Sequence, residues 1–168
     1  MSGIVLIGFM GAGKTTIGQL LAKKTNRNFY DIDQLIVDKI GMSIDEYFEK
    51  FGVESFRKLE SEVLQEIIAE EHVISTGGGI VLSEENRKSL KKLPHVIYLK
   101  TELTELIHRI QSDDENIRPL AEEKSKDEIA EIYLPRVPLY EESGTLIVET
   151  TNKLPEEILE EILKQVGE

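Results

Sequence analysis

The stretch GFMGAGKT at residues 8–15 decides the fold, because it completes the pattern G-x-x-x-x-G-K-[ST]. The apolar run at residues 4–7 precedes it and predicts a buried strand, and residues 16–24 predict an amphipathic helix. Strand, glycine-rich turn and helix start are the context that a phosphate-binding loop requires. The motif predicts that backbone N–H groups bind phosphate, that Lys14 reaches the β- and γ-phosphates, and that the Thr15 hydroxyl can bind Mg²⁺.

Length and composition exclude several classes of protein. The chain has 168 residues, which suits one compact domain over 1–168. It has no cysteine, so disulfides and thiolate metal sites are excluded and the cytoplasm is the expected compartment. No apolar stretch is long enough to span a membrane. The net charge of −12 argues against nucleic acid as a partner and implies that any bound anion is held by a few well-placed cations.

Strand and helix patterns alternate along the chain. This order predicts a five-stranded parallel sheet covered by helices on both faces, an α/β fold of three layers. Ligands of such sheets bind beyond the carboxyl ends of the strands. The predicted strands are residues 3–8, 29–33, 73–76, 95–100 and 145–149, and the predicted helices are residues 14–24, 35–40, 43–51, 54–70, 83–91, 103–111, 129–140 and 155–166.

Asp31 and Asp33 lie at the end of the second predicted strand. Two residues apart on an extended segment, they are predicted to point the same way. Near the phosphate-binding loop, one could help to hold Mg²⁺ and the other could accept a proton or a hydrogen bond from a hydroxyl nucleophile. The alternative is a turn-forming acidic pair with no role in chemistry.

Gly77, Gly78 and Gly79 follow the third predicted strand. Three successive glycines cost conformational entropy on folding, which favours a functional benefit, and a flexible turn is the alternative. The functional interpretation is that the loop exposes N–H groups and leaves room for a ligand.

The segment 113–128 is almost entirely polar and contains Arg118. Too few apolar residues are present for tight packing. It is interpreted either as a solvated loop or as a mobile lid that carries Arg118 toward a nucleotide.

Arg57 and Arg136 are two further candidate cations. Arg57 lies one turn before Glu60, a spacing that predicts a surface ion pair, and Arg136 lies between two prolines. Spacing alone does not indicate that the two arginines meet.

Together these segments resemble the shikimate kinases. The resembling motifs occur in the order of the family and span nearly the whole chain: residues 8–18 (its phosphate loop with a trailing glycine), 29–33 (F-x-D-x-D), 56–60 (F-R-x-x-E), 75–79 (its glycine-rich loop), 118–120 (R-P-L) and 136–140 (R-x-P-x-Y).

The resemblance implies strand order 2-3-1-4-5 and transfer of the ATP γ-phosphoryl group to the 3-hydroxyl of shikimate. It implies a monomer with shikimate and ATP/ADP as its partners. The implied phosphate and nucleotide contacts are Gly11, Ala12, Gly13, Lys14, Thr15, Thr16, Arg118 and Lys153, the last near the adenine. Shikimate would meet Arg57 and Arg136 at its carboxylate, Asp33 at ring hydroxyls, and Gly78 and Gly79 at the ring. Thr15 and Asp31 would hold Mg²⁺, and Lys14, Asp33 and Arg118 would serve catalysis.

Two other classes of protein share parts of this pattern. Another small-molecule kinase with the same loop, such as a gluconate kinase, would not need the two arginines in this order. A GTP-dependent switch is disfavoured because Gly41, in a D-x-x-G match at 38–41, is better explained as a helix C-cap. In addition, Pro155 stands where guanine recognition requires an acid.

Overall fold

The computed structural model describes residues 3–112 and 125–167. Five strands form one sheet in the order β2-β3-β1-β4-β5, and every neighbouring pair is parallel. The strands are β1 (Ile4–Ile7), β2 (Phe29–Asp31), β3 (Val73–Ser75), β4 (Val96–Lys100) and β5 (Leu146–Glu149). The predicted parallel α/β fold and its strand order are therefore confirmed.

Eight α-helices are described in these ranges, and two short 3₁₀ turns cover Ile80–Leu82 and Leu134–Arg136. The helices are α1 (Lys14–Thr25), α2 (Ile32–Ile40), α3 (Ile44–Ile67), α4 (Glu84–Lys91), α5 (Leu103–Ser112), α6 (Lys126–Tyr133), α7 (Val137–Ser143) and α8 (Pro155–Val166). All four residues of the central strand β1 are buried although successive side chains point to opposite faces, so both faces of the sheet are covered. None of these helices is long and apolar enough to cross a bilayer, within the part of the chain that the structure describes.

Gly18 allows the first helix to lie close to the sheet. A Cβ built on this buried glycine of α1 would lie 3.1 Å from Cδ1 of Phe29 on β2, and nearer still to Cε1. Because a side chain at this position would collide with the ring, glycine sets the distance between α1 and the edge strand. This contact places the N-terminal end of α1 beside the carboxyl end of β2, where the site lies.

The helix boundaries differ from prediction where a cap or a special backbone conformation intervenes. β2 ends at Asp31 and α2 begins at Ile32, because Asp31 caps the helix with its own side chain. The two helices predicted on either side of residues 52–53 both form, and they meet at Gly52, whose φ of 83° and ψ of 169° are not helical. α6 begins at Lys126, three residues earlier than predicted, because Ser125 and Glu128 form a reciprocal capping box.

Candidate active site

The phosphate-binding loop joins β1 to α1. Gly11 and Gly13 have φ values of 86° and 95°, a left-handed conformation that glycine adopts without steric cost. Gly13 is the N-cap of α1, where no side chain caps the helix and no acidic residue occupies the first turn. The N-terminal N–H groups and the positive end of the helix dipole therefore face the cleft without a competing carboxylate on α1.

Lys14 and Thr15 are the first two residues of α1. The Lys14 ammonium donates to the carbonyl oxygens of Gly8 and Phe9, the latter at 3.1 Å, so it lies folded over the loop. The Thr15 hydroxyl donates to Oδ2 of Asp31 at 3.2 Å, which connects the loop to the end of β2. Both side chains are thus at the mouth of the loop, as the motif predicts.

Asp31 and Asp33 do not lie on one extended segment, and that part of the prediction was wrong. Asp31 Oδ1 accepts hydrogen bonds from the backbone N–H groups of Asp33, at 2.9 Å, and of Gln34, at 3.3 Å. Asp31 is therefore a helix N-cap, and Asp33 lies in the first turn of α2. The two carboxyl groups still line the same cleft, because the cap turns the chain there.

The environment of Asp33 raises the pKa of its carboxyl group above the ordinary range. Burial is the largest cause, and the neighbouring carboxylate of Asp31 adds to it. The cations Lys14 and Arg57 act in the opposite direction without cancelling the effect. A carboxylate with a raised pKa is a stronger base than an exposed aspartate, which suits a group that accepts a proton.

Thr15 and Asp31 form an arrangement that fits Mg²⁺. No group of three or more His, Cys, Asp or Glu side chains able to hold a metal occurs in the described ranges 3–112 and 125–167. Mg²⁺ in kinases does not require such a group, because it keeps several waters and is held by one or two protein oxygens and the substrate phosphates. The contact between the Thr15 hydroxyl and the Asp31 carboxylate, beside the phosphate loop, provides those oxygens.

Arg57 and Glu60 form an ion pair one turn apart on α3, with 3.0 Å between Nη1 and Oε1. The pair was predicted to be on the surface, which is wrong: the Glu60 side chain is 1% exposed and that of Arg57 is 27% exposed. Burial raises the pKa of Glu60, whereas the Arg57 guanidinium lowers it and Asp33 raises it further. Glu60 is therefore a buried carboxylate that anchors the guanidinium of Arg57.

Arg136 reaches the same place from the other half of the chain. It ends the 3₁₀ turn before α7, and its Cζ lies 5.7 Å from the centroid of the Phe9 ring in the phosphate loop. Burial raises the pKa of Glu60, and the positive charges of Arg57 and Arg136 both act against that increase, although the two arginines are far apart in the sequence. The structure thus brings Arg57 and Arg136 into one cleft.

The loop of three glycines lies between these charged groups. Nη1 of Arg136 is 3.7 Å from a Cβ built on Gly78, and the Tyr140 hydroxyl donates to the Gly78 carbonyl oxygen. Tyr140 itself is fully buried and stacks on Tyr98 with 5.0 Å between the ring centroids. The loop is therefore held by α7, the helix that directly follows Arg136.

Most of the predicted site residues line one cleft of about 970 Å³. It is lined by Gly11, Gly13, Lys14, Thr15, Thr16, Asp31, Asp33, Arg57, Gly78, Gly79 and Arg136. Ala12 is buried beneath the loop, and its N–H donates to Phe9 O at 3.1 Å. Lys153 is not among the lining residues and pairs instead with Glu161 at 3.1 Å. Arg118 and most of the predicted lid, residues 113–124, lie outside the described residues.

Glu60 and Arg109 are charged lining residues that were not assigned a role from the sequence. Glu60 was recognised only as a partner of Arg57, because its burial depends on distant segments. Arg109 on α5 donates from Nη1 to Gly11 O at 3.0 Å and pairs with Glu105 at 3.3 Å, so it supports the phosphate loop from the side. Its spacing from Glu105 resembles an ordinary surface pair on a helix, and no local signal distinguishes it.

The fold and the cleft together define a P-loop kinase that acts on a small molecule. A family model described as shikimate kinase matches residues 10–167. The chain belongs to the shikimate kinase family.

Individual relatives agree with this assignment. A shikimate kinase of Enterococcus faecalis is 51% identical over 168 residues, which cover 100% of both chains. A solved structure of shikimate kinase from Acinetobacter baumannii in complex with shikimate has a TM-score of 0.91 and 36% identity, covering 99% of this chain and 93% of that one. A gluconokinase from Sinorhizobium meliloti reaches a TM-score of 0.63 with 17% identity, covering 99% of this chain and 91% of that one. That second likeness extends to the fold alone.

Proposed function

We propose that this chain transfers the γ-phosphoryl group of ATP to the 3-hydroxyl of shikimate, giving shikimate 3-phosphate and ADP, a step of aromatic amino-acid biosynthesis. The observation that carries the proposal is the composition of one cleft. A phosphate-binding loop with Lys14 forms one end, and the pair Arg57 and Arg136 with Asp33 forms the other. Phosphoryl transfer depends on positioning and charge neutralisation, and this cleft supplies both.

The nucleotide occupies the end formed by the phosphate loop. Backbone groups of Gly11–Gly13 and the start of α1 at Lys14, Thr15 and Thr16 bind the phosphates. Lys14 moves from the carbonyl oxygens of Gly8 and Phe9 onto the β- and γ-phosphates. Its charge offsets the negative charge that develops on the transferred group.

Shikimate occupies the other end, with its carboxylate between Arg57 and Arg136. Two planar guanidinium groups hold a small carboxylate by paired hydrogen bonds and so fix the orientation of the ring. Gly78 and Gly79 pack against the ring because they have no side chains. This orientation decides which hydroxyl faces the phosphate loop.

Asp33 lies close enough to feel the charges of both Lys14 and Arg57, and it binds the hydroxyl that attacks. Its raised pKa, caused chiefly by burial, makes it a suitable acceptor for the hydroxyl proton. Burial raises the pKa of Asp33, and the charges of Lys14 and Arg57 act against this increase and favour the ionised form that accepts the proton. Asp33 thereby positions the nucleophile and holds its proton.

Thr15 and, through water, Asp31 would hold Mg²⁺, which would supply positive charge to offset the charge of the ATP phosphates. The Asp31 carboxylate also caps α2, which fixes its position beside the phosphate loop.

Further features of the enzyme rest on the family resemblance. The resemblance predicts that Arg118 approaches the phosphates and that Lys153 lies near the adenine. Lys153 would first have to leave Glu161, with which it pairs. The protein is a monomeric, cytoplasmic, single-domain kinase that binds neither nucleic acid nor membrane, which agrees with its net charge of −12.

A coupled assay of ADP release over a panel of acceptors tests the proposal. The panel is shikimate, gluconate, nucleoside monophosphates and no acceptor, each with ATP and with GTP. We expect rapid ADP release only with shikimate and ATP. Release with gluconate instead would indicate a gluconate kinase, and a preference for GTP without any acceptor would indicate a nucleotide switch.

A further inference from the structure

The loop of Gly77, Gly78 and Gly79 does not use the conformational freedom of glycine. None of the three has a positive φ, and Gly79 has φ of −95° and ψ of 8°, values that other residues adopt. An alanine at 79 could take this backbone conformation without strain, and at 77 and 78 no left-handed φ requires glycine. The reason for glycine must therefore be the space that a side chain would occupy.

At Gly79 that space is filled by Arg57. A Cβ built on Gly79 would lie 2.5 Å from both Cζ and Nη2 of the guanidinium, closer than real Cβ contacts. The guanidinium is also restrained on its other sides, because Nη1 is 3.0 Å from Glu60 Oε1 and Cζ is 5.4 Å from the Phe56 ring centroid. A side chain at 79 would drive Arg57 away from Glu60 and leave that buried carboxylate without its partner.

At Gly77 the space is taken by two carboxylates. A Cβ there would lie 2.9 Å from Asp33 Oδ1 and 3.1 Å from Glu60 Oε2. The carboxylates of Asp33 and Glu60 therefore both occupy the space beside Gly77 that a side chain would need. At Gly78 the closest atom is 3.4 Å away, an ordinary contact, so the middle glycine carries no such constraint.

We propose that Gly77 and Gly79 are positioning residues for the charged groups at the shikimate end of the cleft. Because Gly79 has no side chain, the guanidinium of Arg57 can pack against it. Because Gly77 has none, the carboxylate of Asp33 can lie beside that of Glu60. The meaning of this arrangement for shikimate binding rests on the proposed function, whereas the packing itself does not. The absence of side chains at Gly77 and Gly79 therefore determines the positions of the Asp33 and Arg57 side chains.

The first test measures thermal unfolding and needs no substrate. Gly79→Ala is compared in the wild type and in an Arg57→Ala background, and Gly77→Ala in the wild type and in an Asp33→Ala background. We expect each alanine to lower the unfolding midpoint in the wild type, and the loss to fall to less than half where the facing side chain is absent. The effect of alanine on the unfolded chain is the same in both backgrounds and cancels.

Gly78→Ala is the matched control in the Arg57→Ala background. Because the three atoms nearest to a Cβ there belong to Met10, Arg136 and Tyr140 and not to Arg57, the effect of Gly78→Ala on the midpoint should be equal in both backgrounds. Equal losses for Gly79→Ala and Gly77→Ala in their two backgrounds would overturn the proposal, since they would show that the alanines disturb the loop itself.

The second test uses the Michaelis constants of the active enzyme. Gly79→Ala should raise the KM for shikimate at least tenfold and change the KM for ATP less than twofold. In the Arg57→Ala background, adding Gly79→Ala should change the KM for shikimate less than twofold. An equal increase in both backgrounds would mean that the new methyl group obstructs the substrate directly, which overturns the positioning role. A wild type that does not phosphorylate shikimate would refute the proposed function, and the unfolding measurements would still decide the inference.

Discussion

Four cations and four carboxylates line the cleft: Lys14, Arg57, Arg109 and Arg136 with Asp31, Asp33, Asp45 and Glu60. On a chain with a net charge of −12, this balance of formal charge makes the cleft a place where an anion meets no net negative charge. Glu60 Oε1 accepts a hydrogen bond from Arg57 Nη1, so the arginines bind a ligand with their remaining donors, and Lys14 adds a cation at the phosphate loop. Each of these side chains is therefore open to a direct test.

Replacing Lys14 by methionine should lower kcat at least about a hundredfold, because it removes a cation from the charge that develops on the transferred phosphoryl group. Lys23→Met is a matched control, since Lys23 is an exposed lysine on the same helix. Steady-state kinetics and circular dichroism provide the measurement. Near-normal turnover in a folded Lys14→Met protein would contradict the assignment of the phosphate loop.

Asp33→Asn should reduce phosphorylation of shikimate by at least about a hundredfold while ATP still binds. In the wild type, the carboxylate form is the active one and its pKa is raised. As the pH falls, kcat/KM should therefore begin to decline at a higher pH than an ordinary aspartate would give. A pH profile with no acid limb above the usual aspartate range would contradict this role, and loss of ATP binding in Asp33→Asn would assign the residue to the metal.

The raised pKa of Asp33, which favours proton acceptance, lowers the stability of the native state at neutral pH. A carboxyl group whose pKa is raised on folding stabilises the native state below its unfolded pKa, and this contribution is lost as the pH rises through the folded pKa. Burial raises the pKa of both Asp33 and Glu60. Thermal melts of Asp33→Asn should thus show a higher midpoint than wild type at neutral pH, and the difference should shrink in acid.

Arg57→Lys and Arg136→Lys should each weaken shikimate binding by about 1.5–3 kcal/mol, because lysine keeps the charge but loses the planar fork of donors. Calorimetric titration with shikimate and with ATP is the measurement, and ATP affinity serves as the internal control. The double variant should lose less than the sum of the two, since both side chains hold one carboxylate. Additive losses, or a loss confined to ATP, would exclude a shared carboxylate clamp.

Helix α1 and strand β2 together position Lys14, Thr15 and Asp31. The helix provides Lys14 and Thr15, the strand ends at Asp31, and Gly18 permits their close approach. The hydrogen bond from Thr15 to Asp31 spans the same junction at the mouth of the cleft. The geometry of Thr15 and Asp31, the pair proposed to hold Mg²⁺, therefore depends on a packing contact one turn further along the helix.

Gly18→Ala should destabilise the fold by about 1–3 kcal/mol, because the added methyl group overlaps the ring of Phe29 and the core has no room for it. Gln19→Ala, an exposed change on the same helix, should stay within about 0.5 kcal/mol of wild type. Urea unfolding of the two variants provides the comparison. A Gly18→Ala protein as stable as Gln19→Ala would show that α1 can move away from β2 at no cost.

For the molecule as a whole, the excess of negative charge dominates long-range electrostatics. The surface ion pairs, such as Lys39 with Glu66 at 2.9 Å, are exposed and each contributes little. Adding salt screens the general repulsion more than it weakens these pairs. We expect the thermal midpoint to rise by about 2–4 °C, the shift for roughly 1 kcal/mol in a domain of this size, between low salt and about 0.5 M NaCl. A midpoint that falls with salt would show that the ion pairs outweigh the repulsion.

Local patterns were sufficient to predict the phosphate loop, the parallel sheet and most helices. The loop motif spans residues 8–15, and each strand or helix is encoded in a short run of apolar periodicity and caps, so neighbouring residues carry the whole signal. The errors of local structure have the same origin. Whether Asp33 continued a strand or began a helix depended on the capping hydrogen bonds of Asp31, which the D-x-D spacing does not reveal.

The arrangement of the cleft depends on contacts between segments far apart in the chain. Arg57 comes from α3 and Arg136 from the turn before α7, and the sequence showed neither that they meet nor that Glu60 is buried between them; only the family resemblance suggested a shared ligand. The raised pKa values of Asp33 and Glu60 and the space at Gly77 and Gly79 likewise come from neighbours brought together by the strand order. Burial and electrostatic environment are properties of the packed molecule, because they are set by whichever distant groups displace water from a side chain.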